Sequence, residues 1–136
     1  MNNITLIFGS TPSGNELKRK ICTYFSSPVM KVSSIYDSQC FNTDIVDYPT
    51  NEVCHIINKF NVPNCFGILV GETGFGLNII ANKHKNIRCV VCNDIFSAEV
   101  ARNQFNANCL TMGTNIVSFE SAIKIIHKFI ETKYLE

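Results

Sequence analysis

Apolar residues recur along this chain with two different periods, and the changes between them divide it into alternating strands and helices. The continuous apolar run Cys65-Phe66-Gly67-Ile68-Leu69-Val70 has strand length and no polar face, which marks a strand covered on both sides in a parallel sheet. Residues 4–8 read as a first strand, and residues 28–35, 88–92 and 108–112 complete a set of five. Helical spacing predicts helices over about 15–25, 51–60, 96–105 and 119–132, with a further one that follows the glycines at 71–76 and runs to about His84. Asp94 and Ser118 stand where N-caps belong. Thr50 is read as the cap of helix 51–60, because Pro49 biases Tyr48 away from helical angles. Residues 36–49, with Tyr36, Asp37 and Asp44, are read as a polar loop.

Five strands alternating with five helices through short loops predict an α/β fold. The expected form is a five-stranded, doubly wound parallel sheet between two helix layers, Rossmann-like, with flavodoxin-type strand order. Ligands of such sheets bind outside the carboxyl ends of the strands where the order reverses, here between the first and third strands. That sets the loop Ser10-Thr11-Pro12-Ser13-Gly14 beside the turn Gly71-Glu72-Thr73-Gly74-Phe75-Gly76.

Composition narrows the function classes. A chain of 136 residues with 46% hydrophobic content fits one domain, residues 1–136, with a sizeable core. At 17% charged residues and a formal net charge of +1 it carries no electrostatic footprint for nucleic acid or an anionic membrane, so a small partner is expected. The first apolar run is far too short for a signal peptide or a membrane span, which predicts a cytoplasmic protein. Seven cysteines, an odd number spread through apolar segments, read as reduced buried thiols rather than a disulfide framework. Cys89 and Cys92 have the spacing of a redox or metal pair, yet residues three apart on a strand face opposite sides. His55, His84 and His127 fall on helices or their ends. No metal-ligand cluster, triad or cofactor is expected.

The glycine turn carries the candidate chemistry. Glycines let the backbone turn tightly and approach a ligand, while the first amides of the following helix point outward, an arrangement that can seat a phosphate, a carboxylate or the oxyanion of an intermediate. It is neither the dinucleotide fingerprint nor a nucleotide-hydrolase phosphate loop, since no Lys-Ser or Lys-Thr follows. Thr73 is placed to donate its hydroxyl to an oxyanion or to cap the helix. Glu72 is either a solvated loop carboxylate or a proton acceptor beside the seat.

Several motifs in one order resemble the ribose-5-phosphate isomerase B family, which includes the two subunits of galactose-6-phosphate isomerase. They are Gly9-Ser10 through Glu16-Leu17-Lys18, then Val46-Asp47-Tyr48-Pro49, then Gly71-x-Thr73-Gly74-x-Gly76 with Ala81-Asn82-Lys83. Ser97-Ala98-Glu99-x-Ala101-Arg102, Asn106-Ala107-Asn108 and Gly113 continue the match over nearly the whole length. The resemblance implies aldose–ketose isomerisation of a sugar phosphate through an enediolate, ribose 5-phosphate to ribulose 5-phosphate by type, in homodimers whose sites lie at the subunit interface. Carried over by position, Gly71 stands where many members have a cysteine base, Glu72 replaces a glycine, Thr73 keeps the hydroxyl of the anion hole, and Gly74 and Gly76 match. The first loop, usually Ser-Asp-His-Ala-Gly, is here Ser10-Thr11-Pro12-Ser13-Gly14. Gln104-Phe105 replace a His-Asn pair whose histidine opens the sugar ring, and Asn115 replaces an arginine. By resemblance, Glu72 and Thr73 are the expected catalytic residues. Ser10, Thr11, Pro12, Tyr48, Gly71, Gly74, Gly76, Gln104, Phe105 and Asn115 are the expected substrate contacts. The alternative is a non-catalytic sugar-phosphate-binding protein, or the partner subunit of a hetero-oligomeric isomerase.

Overall fold

The computed structural model describes residues 3–38 and 47–136. Among the described residues five strands form one sheet: β1 (Thr5–Ser10), β2 (Ser34–Asp37), β3 (Cys65–Gly71), β4 (Cys89–Val91) and β5 (Cys109–Gly113). Every pairing is parallel, and the order is β2-β1-β3-β5-β4. Five helices connect and follow the strands: α1 (Asn15–Phe25), α2 (Asp47–Phe60), α3 (Phe75–Ala81), α4 (Ile95–Asn103) and α5 (Phe119–Glu131). Alternate strand residues feed opposite layers. Leu6, Phe8, Ile68, Val70, Leu110 and Met112 pack with Ile21 and Phe25 of α1, Ala98 and Ala101 of α4, and Ile126 and Phe129 of α5. On the other face Ile7, Leu69 and Cys109 pack with Val53 and Ile57 of α2 and Leu77 and Ala81 of α3.

The doubly wound parallel sheet is as expected, and its reversal lies between β1 and β3. The flavodoxin-type order is not: β5 sits beside β3, and β4 takes the edge. Burial accounts for the exchange. All five residues of β5 are buried, whereas the three-residue β4 is only partly covered and is flanked by the polar Arg88 and Asn93. The more apolar strand takes the inner position, and the short one becomes the edge.

Several boundaries moved. The strand expected over 28–35 begins only at Ser34 and runs on to Asp37; Pro28–Met30 form a 3-10 turn, and Lys31 at φ 57° redirects the chain. Helix α2 starts at Asp47, so Thr50 lies inside its first turn and is not the cap. Pro49 is tolerated there because the first helical amides have no carbonyl partner to lose. Most of the loop expected over 36–49, including Asp44, lies at 39–46, outside the described residues. Helix α3 ends at Ala81, short of His84. Just beyond it the side-chain amide of Asn82 bridges to the edge strand, donating to the Cys89 carbonyl and accepting from the Cys89 amide, each at 2.8 Å. Asp94 and Ser118 cap as expected, accepting from the amides of Ser97 (2.7 Å) and Ser121 (3.1 Å). The thiols of Cys22, Cys54, Cys65, Cys89, Cys92 and Cys109 are free and buried, with Cys89 and Cys92 in opposite layers; Cys40 lies outside the described residues.

Candidate active site

Strand register brings the candidate residues together. Ser10 pairs with Val70 and Gly71 with Gly113, so the loops leaving β1, β3 and β5 emerge side by side at the carboxyl edge of the sheet. A cavity of about 280 Å³ opens there, lined by Thr11, Pro12 and Ser13 on one side and by Gly71 through Gly74, Gly76 and Leu77 on the other. Pro12 starts a short 3-10 turn that leads into α1, and Thr11 is held down by its amide to the Val70 carbonyl (3.1 Å).

The turn is fixed from behind. The Gly71 carbonyl accepts from the amide of Thr114 at 2.7 Å and the Glu72 carbonyl from that of Asn115 at 3.1 Å. Asn93, at the end of β4, donates Nδ2 to the Thr73 carbonyl (3.3 Å) and accepts the Gly113 amide on Oδ1 (2.8 Å). With these carbonyls turned back into the protein, the amides of Glu72, Thr73 and Gly74 make no hydrogen bond among the described residues. The Thr73 hydroxyl accepts from the Phe75 amide at 3.2 Å, which leaves its own proton free to donate outward. Thr73 thus holds the first amide of α3 from the position just before Gly74, the N-cap residue. Gly74 adopts φ 88°, the left-handed region where a side chain would be strained.

Glu72 is exposed and, among the described residues, is the only titratable side chain that lines the cavity. Three unengaged amides, the Thr73 hydroxyl and one carboxylate thus belong to the turn that borders this small concave site, donors and a proton acceptor of the kind that oxyanion stabilisation and proton transfer require. Of the other expected contacts, Ser10 is buried directly beneath, its hydroxyl without a partner. Asn115 stands behind the turn, where its amide supports Glu72. Tyr48 is half exposed in the first turn of α2 and does not line the cavity. Gln104 and Phe105 follow α4 at the opposite edge of the sheet, a strand length of roughly 15 Å away. One chain therefore does not bring them to the cavity. His84 bonds Asn51 and His127 bonds Tyr24; neither lines the site.

Two positioning features were missed from sequence. Asn93 sits between an apolar strand and a helix cap, where the only signal was an amide residue at a strand's carboxyl end. Lys18 is 2% exposed and reaches under the end of β2, with Nζ 2.7 Å from the Asp37 carboxylate and from the Ser38 carbonyl. Its signal was a lysine within the buried stripe Leu17, Ile21, Cys22 and Phe25.

The sheet, the crossing loops and the turn with its unengaged amides define a doubly wound α/β fold with a concave site at its switch point. A family model described as Ribose/Galactose Isomerase matches residues 6–136, and the chain belongs to this family of sugar-phosphate isomerases. It is 38% identical over 136 residues to a Rickettsia typhi protein that bears the provisional name sugar phosphate isomerase, covering 98% of this chain and 91% of that one. It is 30% identical over 131 residues to ribose-5-phosphate isomerase B of Escherichia coli, covering 95% and 85%. Among solved structures, ribose-5-phosphate isomerase B of Thermotoga maritima superposes with a TM-score of 0.88 at 25% identity, over 98% of this chain and 90% of that one. No helix among the described residues is long and apolar enough to cross a membrane.

Proposed function

We propose that this protein interconverts an aldose phosphate and a ketose phosphate, ribose 5-phosphate and ribulose 5-phosphate by type, at the Gly71–Leu77 turn. The observation that carries the reading is the pairing of unengaged amides at Thr73 and Gly74 with the Glu72 carboxylate in one cavity. Glu72 takes the proton from C2 of the open-chain aldose, and negative charge collects on O1 against the amides and the Thr73 hydroxyl. The proton then returns at C1 while the O2 hydroxyl proton passes to O1, which gives the ketose. One oxyanion donor is worth ~2.7–4 kcal/mol elsewhere, and a positioned base contributes ~10²–10⁴-fold.

The working unit is a dimer. Only a second copy can bring a Gln104-Phe105 segment to the cavity, because within one chain the two lie at opposite edges of the sheet. Phe75 and Ile79, one turn apart on α3, and Ile95 and Phe96 at the start of α4 are exposed near the same edge as the cavity, Phe96 by 73%. Large apolar side chains exposed in this way fit an interface. Light scattering should give twice the 15.3 kDa chain mass; a monomer at micromolar concentration contradicts this.

Among the described residues no cysteine, histidine, lysine or arginine lines the cavity, and this favours a second reading: a subunit that binds sugar phosphate and leaves the chemistry to a different partner chain. Assay of the purified protein with ribose 5-phosphate separates the two. Turnover that disappears in Glu72→Gln, with the melting temperature unchanged, supports the isomerase. Calorimetric binding without turnover of any five- or six-carbon sugar phosphate supports the subunit.

A further inference from the structure

A second cavity, of about 560 Å³, opens at the amino ends of β3 and β5, the edge of the sheet opposite the Gly71 turn. Its volume falls in the ~300–1,000 Å³ range of small-molecule sites. Two guanidiniums meet there across a single residue. Arg88 Nε donates to the Asn106 carbonyl at 2.7 Å, and Arg102 Nη1 donates to Asn106 Oδ1 at 3.0 Å.

Both arginines are held by their surroundings. Arg102 is 9% exposed, stacks 4.8 Å from the Phe66 ring centre and also donates to the Ala107 carbonyl, while its Nε is buried with no partner. Arg88 bonds the Asn86 carbonyl through Nη1, and its own amide donates to Asn108 Oδ1 at 2.9 Å; Asn108 Nδ2 returns to the Asn86 carbonyl at 2.9 Å. A frame of asparagines thus fixes two like charges side by side. No Asp or Glu among the described residues lines the cavity. Burial, and then the neighbouring charge of Arg88, lowers the proton affinity of Arg102. The unused Nη1 and Nη2 protons of Arg88 form a fork that matches phosphate oxygens, and Nη2 of Arg102 makes no hydrogen bond among the described residues, so an anion between them meets positive charge from both sides.

We infer that this cavity is a binding site for the phosphate group of a small organic phosphate, held between Arg88 and Arg102 and separate from the Gly71–Leu77 pocket. Within one chain the two sites are a strand length apart, roughly 20 Å along β3. The inference does not depend on whether the Gly71 turn isomerises sugars.

Titration of the ¹⁵N-labelled chain with pyrophosphate, followed by amide chemical shifts at constant ionic strength, tests it. Saturable shifts are expected at Arg88, Asn106 and Ala107, and Arg88→Gln should weaken the binding fitted there by about tenfold or more. Arg88→Lys, which keeps the charge but loses the fork, should recover only part of the affinity. Arg88 is exposed, and an unchanged melting temperature checks that Arg88→Gln folds. Shifts confined to residues 72–76, the same affinity in Arg88→Gln, or equal binding of citrate would each overturn the assignment.

Discussion

Asn93 and Gly113 join the ends of two neighbouring strands: the glycine amide donates to the asparagine Oδ1 at 2.8 Å. Because the same side chain also holds the Thr73 carbonyl, one residue of the edge strand fixes the turn that presents the free amides. Asn93→Ala removes both bonds and leaves the Gly113 amide without its partner. A loss of ~1–3 kcal/mol is expected, with faster hydrogen exchange at Thr73 and Gly74 and weaker sugar-phosphate binding. Asn93→Asp keeps the acceptor but loses the donor and adds a negative charge beside the seat. It should cost less stability than Asn93→Ala and more anion affinity, as calorimetry of folding and of binding will show.

Glycine substitutions at the turn should rank by what the new methyl group meets. At Gly113 a Cβ would come within 2.5 Å of the Thr73 Cα, main chain that cannot move aside without displacing the seat, and overpacking of this kind costs ~1–3 kcal/mol or more. At Gly74 the left-handed backbone adds ~1–2 kcal/mol of strain for an L side chain. At Gly71 the close contact is only the tip of Leu77, at 2.9 Å, which can rotate. Urea midpoints should therefore fall most for Gly113→Ala, less for Gly74→Ala and least for Gly71→Ala. A Gly71→Ala variant as unstable as Gly113→Ala would contradict this account of the packing.

The parts of the fold that were legible in the sequence depend on local pattern. The unbroken apolar run of β3, the caps Asp94 and Ser118, and the facing apart of Cys89 and Cys92 follow from period and hydrogen-bonding chemistry within a few residues. The position of β5 inside β4 does not, because it depends on which of two short strands buries more surface once both exist. The start of α2 was misplaced because the bias of Pro49 on Tyr48 is weak beside its suitability for a first helical turn. At the site, the cavity around Thr11 and Gly71–Leu77 was legible from topology. The roles of Asn93 and Lys18 were not, since each depends on a partner on a different element. The separation of Gln104 and Phe105 from the cavity became visible only when α4 was seen to carry the chain to the far edge of the sheet.

Lys18 and Asp37 should respond unequally to mutation. The lysine is buried and the carboxylate is 44% exposed, although the ion pair is a close 2.7 Å. Lys18→Met removes the charge from the interior and returns Asp37 to solvent; the main loss is the bond to the Ser38 carbonyl, ~1–3 kcal/mol. Asp37→Ala leaves a buried ammonium without its counter-charge, a situation that costs ~3–5 kcal/mol where burial is complete. Chemical denaturation should therefore find Asp37→Ala the less stable of the two single variants, and Lys18→Met/Asp37→Ala no worse than Asp37→Ala alone. The reverse ranking would mean that the pair adds little beyond a surface contact.

The buried thiols set an alkaline limit on stability. Burial pushes Cys54 up from 9.0 to about 12, and Cys65 to about 11. Cys22 and Cys92 are likewise pushed up to about 12, mainly by burial and then by their neighbours, Asp37 at Cys22 and Cys89 and Asp94 at Cys92. In the unfolded chain these groups lose their protons near pH 9, while the folded chain retains them. The folded state then binds more protons than the unfolded one, and stability falls as pH rises. The contribution is complete below pH 9 and is lost progressively from there towards pH 12, with a slope of at most ~1.4 kcal/mol per pH unit for each thiol. Melting temperatures should hardly change between pH 7 and 8.5 on this account and should drop steeply above pH 9.5. In a Cys40→Ser background a thiol reagent at pH 8 should modify the six described cysteines only as fast as the protein unfolds. Rapid labelling of several thiols in the folded state would show that the two layers are looser than the packing of β3 and β5 requires.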